Sequence, residues 1–241
     1  MDIQKSSDKG TPVVLITGGG KGFGKALVRD YLKNNWRVAS VTRSAGDFID
    51  VIEEYGLSDT EDRAKLRYID VTNFAEVEEF VNEINCDWGG VDVLINNAGM
   101  RFRREFLNIK LEEFQQVMNV NLMSIFHLCQ LTLPKMLERS SGKIINISSI
   151  LGETSLPFLA GYQTSKFALN GLTKSLACEF ASKGVSVNAI AAGFCKTSYF
   201  DNFKANKDLY DMTLSRIPQG SWGEDGDIVS LCRYLSSSEA R

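Results

Sequence analysis

The sequence predicts an α/β fold, a doubly wound parallel sheet, and three observations carry that prediction. Short apolar, β-branched runs recur at 13–17, 37–42, 66–69, 91–96, 143–147 and 185–191, as buried parallel strands require. Helical segments alternate with them, giving the β-α-β succession of right-handed crossovers. A glycine-rich turn joins the first strand to the first helix, the position of a phosphate-binding loop in such sheets.

The bulk properties agree. A chain of 241 residues, 44% apolar and 24% charged, suits one α/β domain, here 12–241, behind a polar and mobile tail at 1–11. No linker, repeat or low-complexity stretch divides it. The net charge of −3 argues against a nucleic-acid partner or an anionic membrane surface. No apolar run reaches the ~20 residues of a spanning helix, and the N-terminus lacks a signal-peptide core. Five cysteines with no CxxC pairing read as free thiols in a reducing, cytoplasmic setting. His127 is the single histidine, so Ser-His-Asp hydrolysis and most histidine metal sites are excluded. It reads as a core or interface residue, and no metal is expected.

Taken in order, Val13 to Thr17 leads into Gly18, Gly19, Gly20, Lys21, Gly22, Phe23 and Gly24, then a helix to about Asn34. Such a loop is either a plain tight turn or a dinucleotide cradle. Glycine lets the backbone approach a pyrophosphate lying at the positive helix end, and the place between first strand and first helix favours the cradle. The second strand ends in Thr42-Arg43 without the acid that NAD sites use for the ribose 2′-hydroxyl. Arg43, with Lys21 nearby, instead suits a 2′-phosphate, and the expected cofactor is NADP(H). Helical pattern over 47–55 precedes a polar loop and the third strand, closed by Asp70 and Val71. Asp70 either holds an adenine amino group or caps the helix starting near Asn73. The fourth strand runs into Asn96, Asn97, Ala98 and Gly99, small residues and amides suited to close cofactor approach or to a turn. Leu111 to Glu138 reads as one long helix bent near Asn121, where a mid-helix asparagine needs a partner or a task.

The stretch from Gly142 to Asn170 organises the rest. Strand 143–147 ends in Ser148 and Ser149 at the ligand-binding sheet edge, and Tyr162 and Lys166 follow, four residues apart on one helical face. A tyrosine with an ordinary pKa near 10 needs about 4 kcal/mol of help to act as an acid–base group near pH 7. A close ammonium and a cationic nicotinamide together supply it. Of the seven tyrosines, Tyr162 alone has a lysine four residues on. Beyond strand 185–191, the aromatic segment 194–217 (Tyr199, Phe200, Phe203, Tyr210) reads as a substrate lid or a packed helical pair. A last helix spans about 224–235.

These residues resemble the short-chain dehydrogenase/reductase family from Val13 to about Ser238, a family of Rossmann-type fold. Thr17-Gly18-x-x-x-Gly22-x-Gly24 looks like its cofactor loop, Asp70-Val71 like its adenine contact, and Asn96-Asn97-Ala98-Gly99 like its fourth-strand motif. Asn121, Ser149, Tyr162 and Lys166 look like its catalytic tetrad. Two departures stand out. Ala192-Gly193 replaces the usual Pro-Gly, although Thr197 still matches the position contacting the nicotinamide carboxamide, and the sequence lacks the family's seventh strand.

The resemblance implies an NADP(H)-dependent carbonyl reductase, acting on a ketone or a 3-oxoacyl thioester, possibly carrier-bound. Tyr162 would donate the proton, Ser149 would bind the carbonyl oxygen, Lys166 would assist Tyr162 and hold the ribose, and Asn121 would support a water relay. Arg101, Arg103, Arg104 and Lys183 are either an attraction for an anionic substrate or acidic carrier, or a solvated basic surface. Pairing through the long helix and the Tyr162 helix implies a homodimer or homotetramer. An NAD-dependent alcohol dehydrogenase and a non-catalytic dinucleotide-binding regulator are the alternatives.

Overall fold

A computed structural model of the chain describes residues 10–44, 46–57, 63–196 and 200–240, without the side chains of 201–203. The predicted tail falls mainly outside the described residues, as do Thr197 and Tyr199 and the side chain of Phe203.

Six parallel strands form one sheet in the order β3-β2-β1-β4-β5-β6. They are β1 (Val13–Thr17), β2 (Arg37–Thr42), β3 (Ala64–Tyr68), β4 (Val93–Asn96), β5 (Gly142–Ile147) and β6 (Val185–Ile190). The order reverses between β1 and β4, which opens a crevice at their carboxyl ends. Strand side chains alternate between two buried layers. Val13 and Leu15 pack with α3 (Phe74–Trp88), α5 (Ser124–Glu138) and α6 (Ala160–Phe180). Val14 and Ile16 pack with α1 (Gly22–Lys33), α2 (Ile49–Tyr55) and α9 (Asp225–Ser236). Both faces being covered, the central strands carry near-continuous apolar runs, and those runs are why they were legible.

Expectations shift at β4, which starts at Val93 rather than 91, at the third strand and in the long helix. The third strand lies two residues earlier at its start than 66–69, because it is an edge strand whose Lys65 and Arg67 face Glu83 and Asp87 across α3, which interrupts the apolar pattern. The long helix is α4 (Leu111–Met118), a π-helical turn at Asn119–Met123, and then α5. The predicted bend at Asn121 is thus a local change of helical winding. The aromatic segment contains two short helices, α7 (Phe200–Ala205) and α8 (Lys207–Leu214), with Phe200 and Tyr210 packed against Trp222. His127 is half-buried against Phe74, its Nε2 3.3 Å from the Phe74 carbonyl.

Candidate active site

A cleft of about 360 Å³ runs along the carboxyl ends of the strands. Fourteen of the expected site residues line it: Gly18, Lys21, Gly22, Phe23, Arg43, Asp70, Val71, Asn97, Ala98, Gly99, Ser149, Tyr162, Lys166 and Gly193. Thr17, Gly24 and Asn121 stand behind its wall.

The wall is built by mutual clamping of β1 and β4. The Thr17 hydroxyl accepts from the Asn97 and Ala98 N–H groups, each at 3.0 Å. The Asn97 side-chain amide donates back to the Thr17 and Gly18 carbonyls at 3.0 and 3.2 Å. Gly18 turns with φ +69°, a conformation that disfavours side chains. At Gly24 the reason for glycine is space: a Cβ would lie 2.0 Å from the Gly18 carbonyl oxygen. The amino end of α1 therefore meets the cleft at Lys21, Gly22 and Phe23, with no acidic residue in the first turn and no side-chain cap. Amide donors and the helix dipole converge there, and the site fits a pyrophosphate.

Next to the end of β2, Arg43 lines the cleft, as does Lys21. A carboxylate, Asp47, lines it too. It accepts from the Thr42 hydroxyl at 2.7 Å and lies 3.5 Å from the Lys21 ammonium. The strand end itself carries no acid, as expected; this carboxylate comes from the turn before α2, five residues past the strand end, where strand-end spacing does not look for it. Asp70 accepts from the N–H and hydroxyl of Thr72 through one oxygen. It thus braces its own turn rather than the first turn of α3, whose N-cap Asn73 makes no side-chain cap bond.

β5 and β6 hold the serine loop. The N–H groups of Ser148 and Ile150 donate to the carbonyls of Ile190 and Ala192 at 2.9 and 3.0 Å. Ser148 donates to Asn170 Oδ1, and the Asn170 amide donates to Gly152. Ser149 Oγ accepts from the Leu151 N–H at 3.1 Å, an arrangement that keeps its own O–H proton to donate. Tyr162 is half-buried at the start of α6, and the Lys166 ammonium lies 5.7 Å from its ring centroid. Lys166 is buried, donates to the Ile147 carbonyl at 2.7 Å, and has its pKa pushed down to about 8 by desolvation.

Asn121 is fully buried. Its Oδ1 accepts from the Met100 N–H at 2.8 Å, and its amide donates to the Met100 carbonyl and to Ser165 Oγ, each at 2.9 Å. Ser165 in turn donates to the Tyr162 carbonyl at 2.6 Å. The π-helical turn aims Asn121 into this network, which ties the Met100 backbone to the helix carrying Tyr162. Both amide protons are spent, so Oδ1 alone retains capacity for a water. Ser165 is a residue the sequence reading missed; its place beside Lys166 was the available signal. Among the described residues, no cluster suited to a metal ion is present.

Fold and cleft define a doubly wound α/β protein with a nucleotide-type crevice at its switch point and a Ser–Tyr–Lys constellation beside it. The family model for short chain dehydrogenase matches residues 12–208. The chain belongs to the short-chain dehydrogenase family. It is similar to the 3-oxoacyl-[acyl-carrier-protein] reductase of Vibrio cholerae, 34% identical over 95% of this chain and 91% of that protein. Among solved structures it resembles ElxO with NADP bound, at 31% identity, TM-score 0.86, covering 95% of this chain and 93% of that one. A 4-hydroxyisoleucine dehydrogenase complexed with NADH aligns at 30% identity and TM-score 0.88, covering 95% and 93%.

Proposed function

We propose that the protein is an NADP(H)-dependent carbonyl reductase acting on a ketone or 3-oxoacyl substrate. The observation that carries this reading is the convergence of Ser149, Tyr162 and Lys166 on one cleft with the amino end of α1. Family membership and the NADP-bound relative support it. When bound, NADPH supplies the hydride that reduces the carbonyl carbon. Ser149 donates a hydrogen bond to the carbonyl oxygen and stabilises its developing charge. Tyr162 gives its phenolic proton to that oxygen, completing the alcohol. Lys166, cationic below about pH 8, favours the phenolate left behind and holds the ribose. Lys21 and Arg43 would hold the 2′-phosphate, and Gly18 to Gly24 with Asn97, Ala98 and Gly99 would cradle the dinucleotide. Asp70 and Val71 would border the adenine and Gly193 the nicotinamide of a bound cofactor, and Thr197, outside the described residues, would meet the carboxamide.

The finer features belong to the same reading. Exposed Leu111, Met123, Phe126 and Phe167 on α4, the π turn, α5 and α6 support pairing with a second copy, as dimer or tetramer. Among the described residues no helix is long and apolar enough to cross a membrane, and the free thiols suit a cytoplasmic setting.

The test is NADPH consumption against a panel of ketones, quinones and 3-oxoacyl thioesters. Tyr162→Phe is expected to lose turnover by about 10²–10⁴-fold while still binding NADPH. Turnover equal to that of the unaltered protein would reject the assignment.

A further inference from the structure

The reductase reading assigns Tyr162 and Lys166 on α6 and leaves the next residue of their row without a task. Asn170 lies four residues past Lys166, on the same inclined row of the helix. It stands behind the cleft wall and is half-buried. Its Oδ1 accepts from the Ser148 hydroxyl at 2.7 Å, and its amide donates to the Gly152 carbonyl at 3.2 Å. The Gly152 carbonyl can only accept, which fixes the amide nitrogen on that side and leaves the oxygen for Ser148.

Ser149 lies between the two residues so held. Its own Oγ bonds within the turn, to the Leu151 N–H, so Asn170 reaches it through its neighbours on both sides. Because one planar amide makes both links, Ser148 and Gly152 are fixed relative to each other as well as to α6. The fit is close. A Cβ at Gly152 would lie 2.8 Å from the Asn170 amide nitrogen and 3.0 Å from the Lys166 carbonyl oxygen, so glycine lets the turn rest directly on the helix. The paired serines thereby divide their work. Ser148 gives its proton to Asn170, while Ser149 keeps its own for the cleft.

We infer that Asn170 is a positioning residue of the reaction. Through Ser148 and Gly152 it holds the Ser149 turn on the helix that carries Tyr162 and Lys166, so that the hydrogen-bond donor and the proton donor meet one carbonyl oxygen. This rests on the carbonyl-reductase reading and extends the Tyr162–Lys166 row by one turn of α6.

The experiment uses whichever ketone, quinone or 3-oxoacyl thioester shows Tyr162-dependent turnover with NADPH. Turnover is expressed per NADPH-binding site, so that unfolded molecules do not count. Asn170→Ala is expected to lower kcat by about ten- to a hundredfold, the scale of a small misplacement of reacting groups, with KM and NADPH affinity kept. Ser148→Ala removes one of the two links and should lose less. The double variant should lose no more than Asn170→Ala alone, because the second change finds its partner already gone. Thr173→Val is the control. It removes a 2.8 Å bond between the same helix and Asn146 of β5 and should keep kcat. If Asn170→Ala does not fold, Ser148→Ala against Thr173→Val decides. An unchanged kcat in the Asn170 or Ser148 variant, an equal loss in Thr173→Val, or losses that multiply in the double variant overturns the inference and leaves the reductase reading standing. Absence of tyrosine-dependent turnover on every compound overturns the reading and the inference with it.

Discussion

The ammonium of Lys166 donates to the carbonyl of Ile147, the last residue of β5, at 2.7 Å in a site where Lys166 is 4% exposed. A single neutral acceptor does not offset the loss of water around a charge, so the lysine's pKa falls from 10.5 to about 8. The unfolded chain keeps its proton to the ordinary value. Between about pH 8 and 10.5 unfolding takes up a proton, and stability rises with pH across that window; below it the cost of burying the charge stands in full, about 3 kcal/mol. Urea unfolding of the unaltered protein and Lys166→Met from pH 7 to 10 should show the difference between them moving in favour of the lysine as pH rises. A difference independent of pH would contradict the buried-charge account.

Asn121→Ala removes three hydrogen bonds at once and strands both backbone groups of Met100. Met100 is half-buried at the cleft, where water takes over part of the pairing, so a loss of about 1–3 kcal/mol is expected in denaturant unfolding. Turnover should fall as well, because the link through Ser165 to Tyr162 is cut. Ser165→Ala should lower kcat with a smaller stability loss.

Two glycines make opposite predictions. At Gly24 a Cβ would meet the Gly18 carbonyl oxygen at 2.0 Å and the Asn97 amide at 2.6 Å, so Gly24→Ala is expected to cost about 1–3 kcal/mol and weaken NADPH binding. Gly171, inside α6, has nothing within 4 Å of the same position. Gly171→Ala should raise stability by about 0.5–1 kcal/mol. Thermal unfolding of the two variants decides both.

Asp47 holds Thr42 and faces Lys21, so its charge opposes a 2′-phosphate bound by the same lysine. Asp47→Asn should raise the NADPH-over-NADH affinity ratio by up to about fivefold, the upper range for an exposed pair. Lys21→Ala should lower it. Fluorescence titration with both cofactors measures the ratio, and an unchanged ratio in Asp47→Asn would separate that carboxylate from coenzyme choice.

Much of the fold was legible. β1 and β2 match the expected bounds to the residue, since a strand buried on both faces leaves an unbroken apolar signature. β3 was displaced because an edge strand mixes charged and apolar residues. At the site, the glycine loop, the Asn97 motif, Ser149, Tyr162 and Lys166 were readable because short motifs put them next to strand ends. Asn121 was visible as an anomaly, but its partners, 21 and 44 residues away, were not. Asp47 carries no local pattern that distinguishes it, and Ser165 only its place beside Lys166.

By itself the sequence determined the strand and helix succession, the doubly wound class and the chemical identity of the site's groups, because these follow from periodicity and from residues adjacent in the chain. Tertiary structure alone decided which charge faces which. It brought Asp47 to Lys21, buried Lys166 against Ile147, and wound a π turn to aim Asn121 at Met100. Those outcomes depend on distances across the fold and on the exclusion of water, and neither is written in the spacing of residues along the chain.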